Sequence, residues 1–200
     1  MTFLFDIGRV LLDFDFESSL VRLLPEGTAD AAERLSRLLE RKDEFETGRI
    51  AVDAYVDWAL KVLGSDATPA AFKHAWQQIF TPNLPMWDCV RKLAAADHRL
   101  ILFSNINGIH CPWIFTNFPD FSLFDAGVLS FEVGAIKPHA AIYQHAIDHH
   151  GLVPNQTLYI DDLPKNIAAG REFGFRCWQY DLGAHDEFEV WLDFQMSSQT

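Results

Sequence analysis

Four groups of polar residues stand where apolar runs of this sequence end. They are Asp6 after residues 2–5, Ser104 and Asn105 after residues 100–103, Lys137 just ahead of Pro138, and Asp161 and Asp162 after residues 157–160. An acid behind a strand is commonly only a helix cap or a turn residue, and any one of these groups alone carries that reading. The four together carry another. Three carboxylates held close repel one another unless a cation joins them. An oxygen-only set without Cys or His selects a hard ion, most simply Mg²⁺. A lysine, a serine hydroxyl and free backbone N–H groups beside such an ion suit a dianionic phosphate.

Positioning these groups requires a particular scaffold. The runs at 2–5, 100–103 and 157–160, with a shorter one at 175–178, are short and apolar, as in strands buried on both faces of a parallel sheet. Helical spacing lies between or after them at 86–96, 109–117, 138–149 and 164–173. The alternation predicts an α/β, Rossmann-like parallel sheet, with ligands beyond the carboxyl ends of its strands. The middle of the chain differs. Residues 31–45, 52–63 and 69–80 carry apolar positions at helical spacing, no strand pattern occurs between about 16 and 80, and Thr68-Pro69 reads as a helix start. The expected organisation is a core of residues 1–15 and 82–200, interrupted by an all-helical insertion at 16–81. Residues 81–85 form its return linker, and such an insertion is placed to act as a lid.

Composition sets the outer limits. In 200 residues, 49% hydrophobic and 22% charged, the chain can build one core or one core with an insertion. Its net charge of −12 repels nucleic-acid phosphates and anionic lipid, so neither nucleic acid nor membrane is an expected partner. A small phosphorylated substrate is not excluded, because one lysine and a metal can reverse the sign locally. Cys89, Cys111 and Cys177 are odd in number and far apart, which fits a reducing cytosol rather than a disulfide framework or a structural zinc site. Residues 1–8 lack a basic stretch and reach Asp6, unlike a signal peptide. No apolar run approaches the ~20 residues of a membrane span. The expectation is a cytoplasmic protein, monomer or homodimer, acting on a small-molecule phosphate ester, with a polar, frayed tail at 197–200.

The motifs resemble those of the haloacid dehalogenase (HAD) superfamily, whose members are mostly phosphatases. They run from Phe5-Asp6-Ile7-Gly8 to Asp13, through Leu102-Phe103-Ser104-Asn105 and Lys137-Pro138 with Tyr143, to Ile160-Asp161-Asp162 with Asn166, Ala169 and Gly174. Essentially the whole chain is covered, the helical insertion corresponding to the cap domain of subfamily I. Ser104-Asn105-Ile106-Asn107 with His110, the pattern Glu46-x-Gly48-x-Ile50, and Trp76-Gln77 resemble the subgroup of bacterial α-D-glucose-1-phosphate phosphatases. The resemblance implies an Mg²⁺-dependent phosphatase for a small metabolite, a sugar phosphate among the candidates. It makes Asp6 the nucleophile that forms an aspartyl-phosphate. It sets Ser104 and Asn105 against the phosphoryl oxygens and Lys137 against the charge of both. Asp6, the Gly8 carbonyl and Asp162 ligate the metal, Asp161 is a further ligand or holds a coordinated water, and Asn166 stands behind them.

One position departs from the pattern. Most phosphatases of the family carry a second Asp two residues after the nucleophile, as general acid and base. Gly8 stands there, as it does in the named subgroup. Dehalogenases of the superfamily also lack that Asp, so a 2-haloacid dehalogenase is a rival reading, and a catalytically weak phosphometabolite-binding protein is another. Displacing halide needs no metal, and the acid pair 161–162 opposes the first rival. Asn107 and His110 are candidate substrate contacts, His110 equally a helix cap. Glu46 and Trp76 are the insertion's candidates for touching substrate. His145 and His149, four apart, have zinc-binding spacing but read better as a polar helix end. Arg9 points away or toward the site, and 40–44 reads as a solvated helix face.

Overall fold

The computed structural model describes residues 1–197. A five-stranded parallel sheet is built from β1 (Thr2–Phe5), β4 (Arg99–Ser104), β5 (Ala126–Leu129), β6 (Thr157–Asp161) and β7 (Arg176–Gln179), in the order β5-β4-β1-β6-β7. Phe3, Leu4 and Phe5 of the central strand are all fully buried, because both sheet faces are covered. On one face Phe3, Phe5, Leu102 and Ile160 pack with α6 (Leu84–Ala95), α7 (His110–Asn117) and α11 (His185–Ser197). On the other, Leu4, Phe103 and Tyr159 pack with α9 (Ala140–His150) and α10 (Pro164–Glu172). A short helix, α8 (Ser130–Val133), follows β5. The register pairs Phe5 with Leu102 and with Ile160. Asp6 therefore emerges beside Asp161 and close to Ser104, with its amide donating to the Ile160 carbonyl at 3.0 Å.

Between β1 and β4 the chain forms α1 (Phe16–Leu20), α2 (Ala31–Arg37), α3 (Lys42–Glu46), α4 (Val52–Leu63) and α5 (Pro69–Gln77). These helices share an apolar cluster of their own, centred on Leu38, Tyr55, Val56, Ala59 and Phe72. The Thr68 side chain accepts from the Ala71 amide at 3.2 Å, with Pro69 opening α5, as its sequence predicts. Gly48 has a φ of +69°, and a Cβ there would lie 2.5 Å from the Phe131 carbonyl oxygen. Only glycine allows the turn after α3 to seat this tightly on α8.

Several elements differ from expectation. Residues 31–45 are not one helix: a tight 3₁₀ turn at Leu38–Arg41 separates α2 from α3, and the Tyr55 hydroxyl donates to the Leu38 carbonyl at 2.9 Å. Part of the expected linker is a strand, β3 (Phe80–Pro82), paired antiparallel with β2 (Leu12–Phe14) where the chain leaves and re-enters the sheet layer. Pro138 does not open α9. The helix starts two residues later, after extended His139, because the Lys137 backbone is held by Asn105. Strand β5 and helix α11 carried no sequence expectation. Of the polar tail, Ser197 closes α11, and residues 198–200 lie outside the described residues.

Candidate active site

The carboxyl ends of β1, β4 and β6 form the floor of a cavity of about 350 Å³, and residues of α3, α4 and α5 form its roof. Asp6, Gly8, Ser104, Asn105, Asn107, His110, Lys137 and Asp162 all line it, as do Glu46 and Trp76 from the helical segment. A more open hollow of about 580 Å³ beside β5 is lined by Cys111, Phe115, Phe124 and Glu132 and contains none of these groups.

Lys137 is the centre of the floor. It is 1% exposed, and its ammonium donates to Asp161 Oδ2 at 2.5 Å and to the Phe103 carbonyl at 2.6 Å, with Asp6 Oδ1 at 3.1 Å. Burial works against that charge, but Asp161 and then Asp6 outweigh it and hold the lysine protonated above its ordinary range. Asp6 accepts the Ile7 amide at 2.8 Å and bonds the Ser104 hydroxyl. Its pKa is raised, by burial first and by Asp161, against the opposing pull of Lys137. Asp162 is pushed up to about 7 by burial and by the negative charges of Asp6 and Asp161.

A hard dication answers that repulsion. Asp6, Asp161 and Asp162 offer carboxylate oxygens within 4.8 Å of one another. Ionised together and countered by Lys137, they leave two surplus negative charges, the charge of one Mg²⁺ ion. The buried Asn166 Oδ1 on the same wall has no hydrogen-bond partner among the described residues, as suits a group waiting for an ordered water. The donor set therefore fits magnesium. Asp6 and Asp162 are the carboxylates free to ligate. Asp161 is fully committed instead: Oδ2 accepts Lys137 and the Tyr159 hydroxyl (2.6 Å), and Oδ1 accepts the Leu163 amide and Asn166 Nδ2, each at 2.9 Å. It orients Lys137 rather than reaching the open cavity.

Two further residues differ from expectation. Asn105 Oδ1 accepts the Lys137 amide at 2.8 Å while its Nδ2 donates to the Lys137 carbonyl at 2.9 Å. Both amide atoms clamp the lysine backbone and leave none for a phosphoryl oxygen. Asn107 Oδ1 accepts the amides of Ile109 and His110 at 3.0 Å, and its Nδ2 donates to His110 Nδ1 at 3.1 Å. That fixes His110 as the neutral Nε2–H tautomer, which donates to the Trp76 carbonyl at 3.1 Å and ties α7 to α5. Burial lowers the His110 pKa to about 3. His110 is thus a brace between floor and roof, and Asn107 is the residue that caps α7.

Arg9 lies at the rim, paired with Asp13 at 2.5 Å and stacked over Phe14. His145 and His149 stack at 3.8 Å, and no third ligating side chain joins them among the described residues. Sequence reasoning missed Tyr159, Phe14 and Lys42. Tyr159 had a signal, since residues two apart on a strand share a face and it precedes Asp161 by two.

Known proteins share this fold. The profile of the haloacid dehalogenase-like hydrolases matches residues 1–174. A D-ribitol-5-phosphate phosphatase of Bacteroides thetaiotaomicron is 29% identical over 191 residues, covering 90% of this chain and 91% of that protein. Among solved structures, a HAD-family enzyme of the same bacterium, in complex with magnesium and inorganic phosphate, superposes with a TM-score of 0.79. It is 24% identical and covers 91% of this chain and 94% of its own. The L-2-haloacid dehalogenase of Xanthobacter autotrophicus, with chloropropionic acid covalently bound, superposes at 0.64 with 18% identity, covering 88% and 75%. These relatives do not bear on the glucose-1-phosphate subgroup. Together with the site they support one conclusion: the chain belongs to the haloacid dehalogenase-like hydrolases.

Proposed function

We propose that this hydrolase is a phosphatase for a small sugar or sugar-alcohol phosphate, working through an aspartyl-phosphate on Asp6, with residues 16–81 as a cap that selects the substrate. The observation that carries the reading is Asp6 itself, a buried carboxylate held between Lys137 at 3.1 Å and the Ser104 hydroxyl beneath a cavity of about 350 Å³. A cavity of that size takes one small ester. Its aromatic wall of Phe45, Tyr55 and Trp76 suits the C–H faces of a sugar or polyol, and Trp76 Nε1, which has no hydrogen-bond partner among the described residues, is a donor for a hydroxyl. The D-ribitol-5-phosphate phosphatase among the relatives points to the same class.

The Ser104 hydroxyl turns from Asp6 to a phosphoryl oxygen, and the Lys137 ammonium, held by Asp161, Phe103 and Asp6, sets its charge beside phosphorus and the attacking Asp6 oxygen. Asp6 attacks, the ester oxygen leaves, and the fixed ammonium balances the charge that develops on both. Water then attacks phosphorus and returns the Asp6 carboxylate. Mg²⁺, held by Asp6 and Asp162 with the Gly8 carbonyl, supplies further neutralisation of the phosphoryl charge when bound. Asn105 keeps Lys137 in register throughout.

The test is a panel of phosphorylated metabolites, with p-nitrophenyl phosphate as a generic ester and 2-chloropropionate as the dehalogenase substrate. The expected result is Mg²⁺-dependent phosphate release, fastest with pentitol, pentose or hexose phosphates, and lost in a folded Asp6→Asn variant. Chloride release without phosphate release would contradict the reading.

A further inference from the structure

The departing ester oxygen needs a proton, and the position that supplies it in most related phosphatases is Gly8. Gly8 has no side chain to donate, and the position is tight, since a Cβ there would lie 3.2 Å from Phe14 Cε1. Phe14 in turn is held under the Arg9 guanidinium, 4.7 Å from its ring centroid. The donor must therefore come from another wall of the cavity. His110 has both ring nitrogens engaged, and the Tyr55 hydroxyl donates to Leu38. Arg9 is paired with Asp13 and Lys137 with two carboxylates.

Glu46 remains. It closes α3 and lines the cavity from the roof, 8% exposed, where the glycine turn at Gly48 seats it against α8. Its Oε2 makes a loose ion pair with Lys42 Nζ at 3.5 Å and has no other partner among the described residues. Building on the phosphatase reading above, we propose that Glu46 is the general acid and base of this enzyme, in place of the carboxyl that Gly8 lacks.

The protons balance over two steps. In the first, an Asp6 oxygen bonds to phosphorus, the bond from phosphorus to the ester oxygen breaks, and that oxygen takes the Glu46 proton to leave as an alcohol. In the second, Glu46 carboxylate removes a proton from water as the water oxygen bonds to phosphorus. The Asp6–phosphorus bond breaks, inorganic phosphate leaves, and Glu46 is protonated again. The electrostatics suit the role. Burial pushes Glu46 up to about 7; Lys42 opposes the shift, while Asp43 and Asp6 add to it. Tyr55 faces it from α4, and Lys137, Asp162 and Arg9 share its cavity. Glu132, the charged residue of α8, lines the other hollow. A carboxyl poised near neutrality serves as acid and then as base.

The experiment is Glu46→Gln, assayed on esters of graded leaving-group acidity after a check of its far-UV circular dichroism. For alkyl phosphates kcat is expected to fall about 10²-fold, whereas p-nitrophenyl phosphate, whose phenolate leaves without a proton, changes less than about tenfold. The wild-type kcat for alkyl phosphates should decline as pH rises through about 7, and that limb should vanish in the variant. Glu46→Asp should recover part of the alkyl-phosphate rate. Equal losses on both ester types, no loss on alkyl phosphates, or a change confined to KM would overturn the assignment. Should Glu46→Gln fail to fold, the wild-type series decides: a shallow leaving-group dependence supports a donor, and a steep one overturns it. Loss of p-nitrophenyl phosphate hydrolysis in Asp6→Asn tests the phosphatase reading separately, whatever Glu46 does.

Discussion

On the floor of the cavity the polar atoms of Lys137, Asn105 and Asp161 are engaged with one another or with backbone, whereas on the roof Glu46 Oε2 has only a loose ion pair with Lys42 at 3.5 Å and Trp76 Nε1 has no hydrogen-bond partner among the described residues. The two surfaces enclose one space yet follow opposite rules. A charge-stabilising floor works best when its dipoles are already fixed, so that no reorganisation accompanies the reaction. A roof that selects among substrates must keep hydrogen-bonding capacity in reserve, since a buried polar atom left unpaired costs about 1–3 kcal/mol until a ligand meets it. The floor's exception, Asn166 Oδ1, lies beside the carboxylates that suit the metal.

The comparison breaks most visibly at Asp162. Asp162→Ala removes a ligating carboxylate, and hydrolysis of every ester should fall by about 10³-fold. Chelation of the wild type should match that loss, and added Mg²⁺ should restore the wild type only. A variant that keeps its activity in excess chelator would show that the surplus charge of the floor has another purpose.

A smaller effect sharpens the contrast. Asn105→Ala leaves Lys137 in place but frees its backbone, and a displaced catalytic group costs up to about 10²-fold. The loss should appear in kcat, with KM nearly unchanged and with the same factor on aryl and alkyl esters. Steady-state kinetics on both esters checks this. A rise in KM alone would mean that Asn105 touches substrate after all.

The floor was more legible in the sequence than the roof. The sheet strands that carry its groups are unbroken apolar runs ending in a charged or hydroxyl residue, and burial on both faces forces that pattern. Strand β5 escaped because Gly127 interrupts a run of four, and β2 and β3 because three residues each, one of them Pro82, carry too short a period. Helix α11 buries Phe188 and Leu192 while Val190 and Phe194 stand 72% and 67% exposed, so its apolar positions form no single stripe. The roles of Asn105 and Asp161 depend on Lys137, a partner far along the chain from either. Asn105 and Lys137, for instance, are 32 residues apart, and no local pattern links them. Glu46 and Trp76 were named from a local resemblance, and the structure brings both to the cavity wall.

The account rests on a covalent intermediate at Asp6, and trapping it is the most direct test. Enzyme turning over a good ester is quenched in acid, reduced with borohydride and digested, and the peptide carrying residues 1–9 is sequenced by mass spectrometry. An acyl phosphate on Asp6 is reduced to the alcohol, so the account predicts that modification at residue 6 alone, absent without substrate and absent in Asp6→Asn. Reduction at another carboxylate, or an unmodified Asp6 in enzyme that shows a pre-steady-state burst, would contradict it.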